Sequence, residues 1–213
     1  SGNRMFTLGT SGESALLCLD ADNGAEIWRH AFYRGDECQA TPCTDGKSVY
    51  ALTKLGELSC VKVKNGQLRW KRNIIEDFGA EKLTYGFAQS PVLVGNLIIL
   101  NVNTSGMAVN KKSGELVWYS KPHTFKLDQG YYASPVVYER DGTTCALLVS
   151  GTGLFSVDVE NGEPVWFHEW MVLLNDRLAH CNVADPVMWK NEVFVSTYFG
   201  MPKCHLLDVS GAE

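Results

Sequence analysis

CLDADNGAEIW, residues 18–28, decides the fold because it returns three times along the chain. The later copies are CVKVKNGQLRW at 60–70, AVNKKSGELVW at 108–118 and SVDVENGEPVW at 156–166. In each copy Gly stands at the seventh place and Trp at the eleventh (Gly24/Trp28, Gly66/Trp70, Gly114/Trp118, Gly162/Trp166), and the Trp residues are spaced by 42, 48 and 48 residues. A fifth copy opens as LLDVSGAE over 206–213. A repeat of this length with strand-like patterning is the signature of a β-propeller.

Each place in the repeat has a physical reason. The pairs Asn23-Gly24, Asn65-Gly66, Ser113-Gly114 and Asn161-Gly162 fall where a tight hairpin needs a positive φ, which Gly adopts without a Cβ penalty. The first place holds Cys18, Cys60, Ala108 or Ser156, small enough for an indole to lie against the backbone. A buried Trp removes on the order of 200 Å² from water, so the four form a large part of an inter-blade core. The competing use, an aromatic binding surface, requires them to be exposed.

A second landmark precedes each motif. Segments starting at Pro42, Pro91, Pro135 and Pro186 read as a short apolar run, a turn and a second strand rich in Val, Ile, Leu and Tyr. The turns are Asp45-Gly46, Gly95-Asn96, Asp141-Gly142 and Lys190-Asn191. Pro at the start of the first strand costs the ladder least. One period is therefore strand, turn, strand, short turn near Gly56, Gly106 or Gly153, strand, hairpin, and a Trp-bearing strand: a four-stranded antiparallel blade. The expected fold is an all-β propeller domain over 1–213, with blades at about 1–28, 29–70, 71–118, 119–166 and 167–213. The chain opens in a second strand and stops inside a third-to-fourth hairpin. That is about four and a half blades, so further blades or a second copy are expected to close the ring.

Composition is that of a globular domain with a real core: 45% hydrophobic and 20% charged residues. A net charge of −5 argues against a nucleic-acid surface. No apolar run approaches the length of a membrane-spanning helix. A chain opening mid-blade has no place to show a leader, so its absence does not assign a compartment. Seven cysteines cannot all pair within one chain. Cys18 and Cys60 are expected as buried thiols, and Cys38 and Cys43 are near enough in sequence to bridge. His180-Cys181 and Cys204-His205 have no metal-ligand spacing, so no metal site is assigned.

The Gly-to-Trp frame resembles the tryptophan-docking motif of the quinoprotein, or PQQ-like, propellers, and the resemblance covers the whole chain. It implies a ring of seven or eight blades, with each Trp packed between neighbours. Enzymes of the family hold pyrroloquinoline quinone and calcium in the axial funnel, the quinone lying between a Trp and a disulfide of two adjacent cysteines. Glu and Asn ligands hold the calcium, beside an Asp base. This chain has no Cys-Cys pair and no matching Glu, Asn and Asp set. The expectation is therefore the non-catalytic branch, similar to the outer-membrane assembly lipoproteins: no cofactor, a protein partner, and a periplasmic or cell-envelope location. The alternative is a fragment of a PQQ- and calcium-dependent dehydrogenase acting on an alcohol or sugar.

Loops on a rigid scaffold commonly carry function, and here those from each Trp to the next Pro differ most in length and content. Residues just before the innermost strands approach the propeller axis. This places Gln39, Tyr85, Phe87, Gln89, Tyr131, Tyr132, His180 and Asn182 at the funnel mouth, with Arg177 as an anchor for an anionic group. Tyr131 and Tyr132 are adjacent, so at least one is expected in the core. Trp170 lies in an apolar stretch longer than a blade requires, and Trp189 reads as core.

Overall fold

The computed structural model describes residues 2–9, 14–32, 39–83, 85–102, 105–120, 132–151, 153–169, 173–174, 177–178, 184–197 and 203–210. They form a succession of antiparallel sheets, each built from consecutive strands. Blade 1 has three strands, β1 (Arg4–Gly9), β2 (Ala15–Asp20) and β3 (Glu26–Ala31). Blade 2 has four: β4 (Cys43–Thr44), β5 (Ser48–Leu52), β6 (Glu57–Lys62) and β7 (Leu68–Asn73). Blade 3 is β8 (Val92–Val94), β9 (Leu97–Leu100), β10 (Met107–Asn110) and β11 (Leu116–Tyr119). Blade 4 is β12 (Val136–Arg140), β13 (Thr143–Val149), β14 (Gly153–Asp158) and β15 (Pro164–Glu169). A two-stranded ribbon, β16 (Leu173–Leu174) with β17 (Arg177–Leu178), precedes blade 5, which comprises β18 (Val187–Trp189), β19 (Glu192–Thr197) and β20 (Lys203–Asp208). This is an all-β partial propeller of antiparallel blades.

Side chains alternate across a strand, and here both faces of the inner strands are covered. β5 is buried at all five positions, Ser48 to Leu52. Val49 and Ala51 meet Leu16, Cys18 and Trp28 of blade 1, while Tyr50 and Leu52 meet Ile98, Leu100 and Met107 of blade 3. The same division recurs onward. Ile99, Ala108 and Trp118 pack on Ala146, Leu148 and Val157, and Tyr138, Leu147 and Trp166 pack on Val193, Val195 and Val209. The core is thus a series of inter-blade layers rather than one central cluster.

Cys18, Cys60, Ala108 and Ser156 lie directly opposite Trp28, Trp70, Trp118 and Trp166 on the adjoining strand. A register shift follows each of them, so all four hairpins carry the same bulge. A small cross-strand partner leaves the indole free to reach the next blade. There it covers the hairpin glycine: a Cβ on Gly66 would lie 2.6 Å from Trp28, one on Gly114 2.7 Å from Trp70, and one on Gly162 2.5 Å from Trp118. These glycines also have φ of 69°, 72° and 76°, so conformation and contact both exclude a side chain. The surface the indole needs is therefore the glycine of the following blade, and the small residue clears its path.

Buried indole N–H groups need acceptors. Trp28 Nε1 donates to Val63 O (2.9 Å), Trp70 Nε1 to Lys111 O (3.1 Å) and Trp118 Nε1 to Val159 O (2.8 Å), always in the next blade. Trp166 differs. It donates to Tyr138 Oη of its own blade (2.8 Å), which shares a 2.7 Å hydrogen bond with Ser156 Oγ.

Cys43 is a free thiol; Cys38, near enough in sequence to bridge with it, lies outside the described residues. One sequence expectation is corrected: Trp189 is 68% exposed, not core. Alternation along β18 turns Met188 toward blade 4 and Trp189 away from it, beside Val187, Phe194 and Leu206, which are exposed on the same face.

Candidate functional site

Two features crowd the inner end of the blades. The first is a relay in the residues that precede the inner strands. Thr41 N–H donates to Ser90 Oγ (2.9 Å), Ser90 N–H to Ser134 Oγ (3.2 Å), and Ser134 N–H to Asp185 Oδ1 (2.6 Å). Each residue stands immediately before one of the four landmark prolines. Pro has no N–H, so the residue before it supplies the last amide before the strand, and the next blade satisfies it.

The second is the connection from blade 2 to blade 3, which folds back onto the Thr53–Gly56 turn. Ile74 N–H donates to Gly56 O (2.9 Å) and Phe87 N–H to Lys54 O (2.9 Å). Asn73 Oδ1 caps the start of the loop, accepting from Ile75 N–H (3.0 Å) and Glu76 N–H (3.2 Å). Phe87 enters the core with Ile74, Ala80 and Leu83.

This packing revises the funnel-mouth set. Phe87, Gln89 and Tyr132 are buried, at 1%, 0% and 7% exposure. The folded-back loop carries Phe87 and Gln89 inward, and Tyr132 lies under Tyr85, accepting from Tyr85 N–H (3.4 Å) with ring centroids 6.0 Å apart. Gln39 and Tyr85 are exposed. Arg177 lies on β17, while Tyr131, His180, Asn182 and Trp170 lie outside the described residues.

Asn101 was missed by sequence reasoning. Fully buried after β9, its Nδ2 donates to Ala133 O (2.8 Å) and Val149 O (2.9 Å), tying blade 3 to blade 4. Asn101 Oδ1 and Gln89 Nε2 are buried with no hydrogen-bond partner among the described residues. A polar residue ending an apolar run, IILNV, was the available signal.

The open surface lies above blade 2. Leu55, Glu57, Lys71, Asn73, Ile75, Glu76 and Lys82 line a groove of about 400 Å³. A second groove of about 260 Å³ shares Glu57, Lys71, Asn73 and Glu76 with it and adds Arg72 and Asp77. Glu57 is held between Lys71 Nζ (3.4 Å) and Ser59 Oγ (2.9 Å). Leu55 (42% exposed) and Tyr85 (58%) supply apolar surface on the same loops, among charges of both signs.

Four of the described thiols are poor nucleophiles. Burial pushes Cys43 up to about 12 and raises Cys18, Cys60 and Cys145 as well. Nor do the described residues supply the ligand set of a quinone with calcium. The chain has no adjacent cysteines. The described residues hold no cluster of three His, Cys, Asp or Glu side chains, and Phe87, Gln89, Asn101 and Tyr132 are buried in the packing between blades.

Comparison with known proteins agrees with this geometry. Residues 12–204 match the family described as outer membrane protein assembly factor BamB. The chain belongs to that family. A BamB of Shewanella oneidensis is 22% identical over 210 residues, covering 94% of this chain and 48% of the relative. The crystal structure of BamB from Moraxella catarrhalis superposes with a TM-score of 0.68 at 17% identity, over 100% of this chain and 57% of that one. The quinohemoprotein alcohol dehydrogenase of Comamonas testosteroni gives a TM-score of 0.71 at 13% identity, over 99% and 40%. At that identity the likeness shows the propeller fold alone. The chain spans about half the length of the Shewanella relative.

Proposed function

We propose that this chain belongs to a non-catalytic, protein-binding propeller domain of the outer-membrane assembly kind, working in the periplasm or at the cell envelope. The groove above blade 2 carries the reading. Exposed Leu55 and, with it, Ile75 line the groove beside Glu57 and Lys71 at the ends of β6 and β7 and Glu76 and Lys82 of the braced loop, the mixture of apolar anchors and polar rim that protein partners use. Membership of the assembly-factor family supports the same assignment. Further blades, or failing those a second copy of this chain, cover the Val187, Phe194 and Leu206 face of blade 5, whose counterpart on blade 4 is buried.

The partner is a protein segment that places an apolar side chain against Leu55 and Ile75 and pairs its charges with Lys82 and Glu76. The test is a photoreactive amino acid placed at Leu55, Tyr85 or Lys82 of the full-length protein in envelope preparations. A specific cross-linked band from these sites, weakened by K82E with E76K and absent from a probe at Asn23 on the opposite hairpin, is the expected result. Equal cross-linking from the Asn23 probe would overturn the assignment.

A further inference from the structure

One pair of side chains plays no part in that groove. Two residues past the docking Trp166, on β15, His168 faces His205 on β20, and His168 Nε2 lies 3.2 Å from His205 Nδ1. The rings meet nearly edge to face, with centroids 5.1 Å apart and planes inclined at 70°. Both are half-buried in the seam between blades 4 and 5. The counterparts of His168, two residues past the other docking tryptophans, are His30, Arg72 and Ser120.

His205 can be aligned by a shared backbone bond. Val63, Lys111 and Val209 donate their N–H to the turn between the first and second strands of their own blade, and Val159 donates to Thr144 O at the start of the second strand. Four residues before them stand Ser59, Met107, Phe155 and His205. Among these four seams, two imidazoles meet only at the one between blades 4 and 5. It is also the seam where the docking tryptophan does not donate to the following blade.

Neutral imidazole nitrogen is the commonest protein ligand for zinc, copper and nickel. Two nitrogens at 2.0–2.1 Å from a tetrahedral ion stand about 3.3 Å apart, close to the separation found here.

We propose that His168 and His205 form a two-imidazole site for a divalent first-row transition metal, zinc or copper, clamping blade 4 to blade 5. Binding turns both lone pairs toward the ion. The ring now donating the shared hydrogen takes its other tautomer, so no proton leaves the pair and no electron moves.

The test is titration of Cu²⁺ into the untagged chain at pH 7.5, followed by electron paramagnetic resonance, with Zn²⁺ followed by thermal melting and by imidazole NMR. The expected result is one Cu²⁺ per chain with hyperfine structure from two nitrogens, and Zn²⁺-dependent shifts confined to His168 and His205. H168Q and H205Q should each weaken Cu²⁺ binding at least tenfold, while H30Q should leave it unchanged. Gln keeps a polar group in the seam, and the wild-type NMR titration does not depend on either variant folding. A copper spectrum unchanged in the double variant, or Zn²⁺ shifts that spare both rings, would overturn the proposal.

Discussion

Gly24 and Gly162 occupy the same place in the repeat and have nearly the same φ, 73° and 76°, yet only one carries an indole. A Cβ on Gly24 meets nothing within 4 Å, whereas on Gly162 it would stand 2.5 and 2.6 Å from Trp118 ring atoms. Gly24→Ala therefore measures backbone strain alone, about 1–2 kcal/mol for a residue held in the left-handed region. Gly162→Ala adds displacement of the indole by roughly 1 Å to restore normal carbon–carbon contact, an overpacking cost of about 1–3 kcal/mol. It also strains the 2.8 Å bond from Trp118 to Val159 O, worth about 1 kcal/mol. The expectation is a loss of about 1–2 kcal/mol for Gly24→Ala and about 3–5 for Gly162→Ala, measured from urea midpoints at constant slope. Trp118→Phe should recover part of the second loss, giving a coupling of about 1 kcal/mol or more in a double-mutant cycle. Equal destabilisation by the two alanines, with no coupling to Trp118, would refute the claim that the docked indole is what the hairpin glycine serves.

Asp185→Ala should cost about 1.5–3 kcal/mol in urea unfolding, the range for bonds to a charged partner, while Asp185→Ser should recover most of it, because Ser90 and Ser134 fill the same role. Burial holds His30 and His168 below the ordinary imidazole range, so the unfolded chain takes up protons at a pH where the folded one does not. Stability should therefore be constant above about pH 7 and fall as pH drops through and below the unfolded value of roughly 6.5; with a chelator present, H30Q with H168Q should flatten that decline in the urea midpoint. Iodoacetamide at pH 8 followed by peptide mapping should modify exposed Cys204 in the native chain, and Cys18, Cys43, Cys60 and Cys145 only after unfolding.

The repeat was legible because its reasons are local. A hairpin needs Gly at one place, a Trp needs a small neighbour across the strand, and both needs recur at a fixed spacing. The four prolines were equally legible, and the Thr, Ser, Ser and Asp before them were the visible trace of the relay. What each indole rests on was not legible, since the glycine beneath it lies in the next repeat, some forty residues on. The inter-blade loops were the least readable. Phe87 is drawn inward with the loop by bonds from Phe87 N–H to Lys54 O and from Ile74 N–H to Gly56 O that no periodicity announces. The exposure of Trp189 depends on which face of β18 meets blade 4, a one-residue choice. The groove above blade 2 is assembled from Leu55, Lys71 and Lys82, brought together by a turn, a strand end and a loop.

The relay and the docked indoles share a direction. Thr41, Ser90, Ser134, Trp28, Trp70, Trp118 and Asn101 all donate to the following blade. The series is therefore polar, like overlapping roof tiles: every sheet leans on its successor. Trimming from the amino-terminal side takes donors away with the sheet that owns them and leaves the remaining sheets satisfied. Trimming from the carboxyl-terminal side strands the donors of the sheet before. In a truncation that ends the series at blade 5, fraying should thus begin at that blade and run backward, a sense of unravelling that amide exchange would reveal as protection rising from blade 5 toward blade 2.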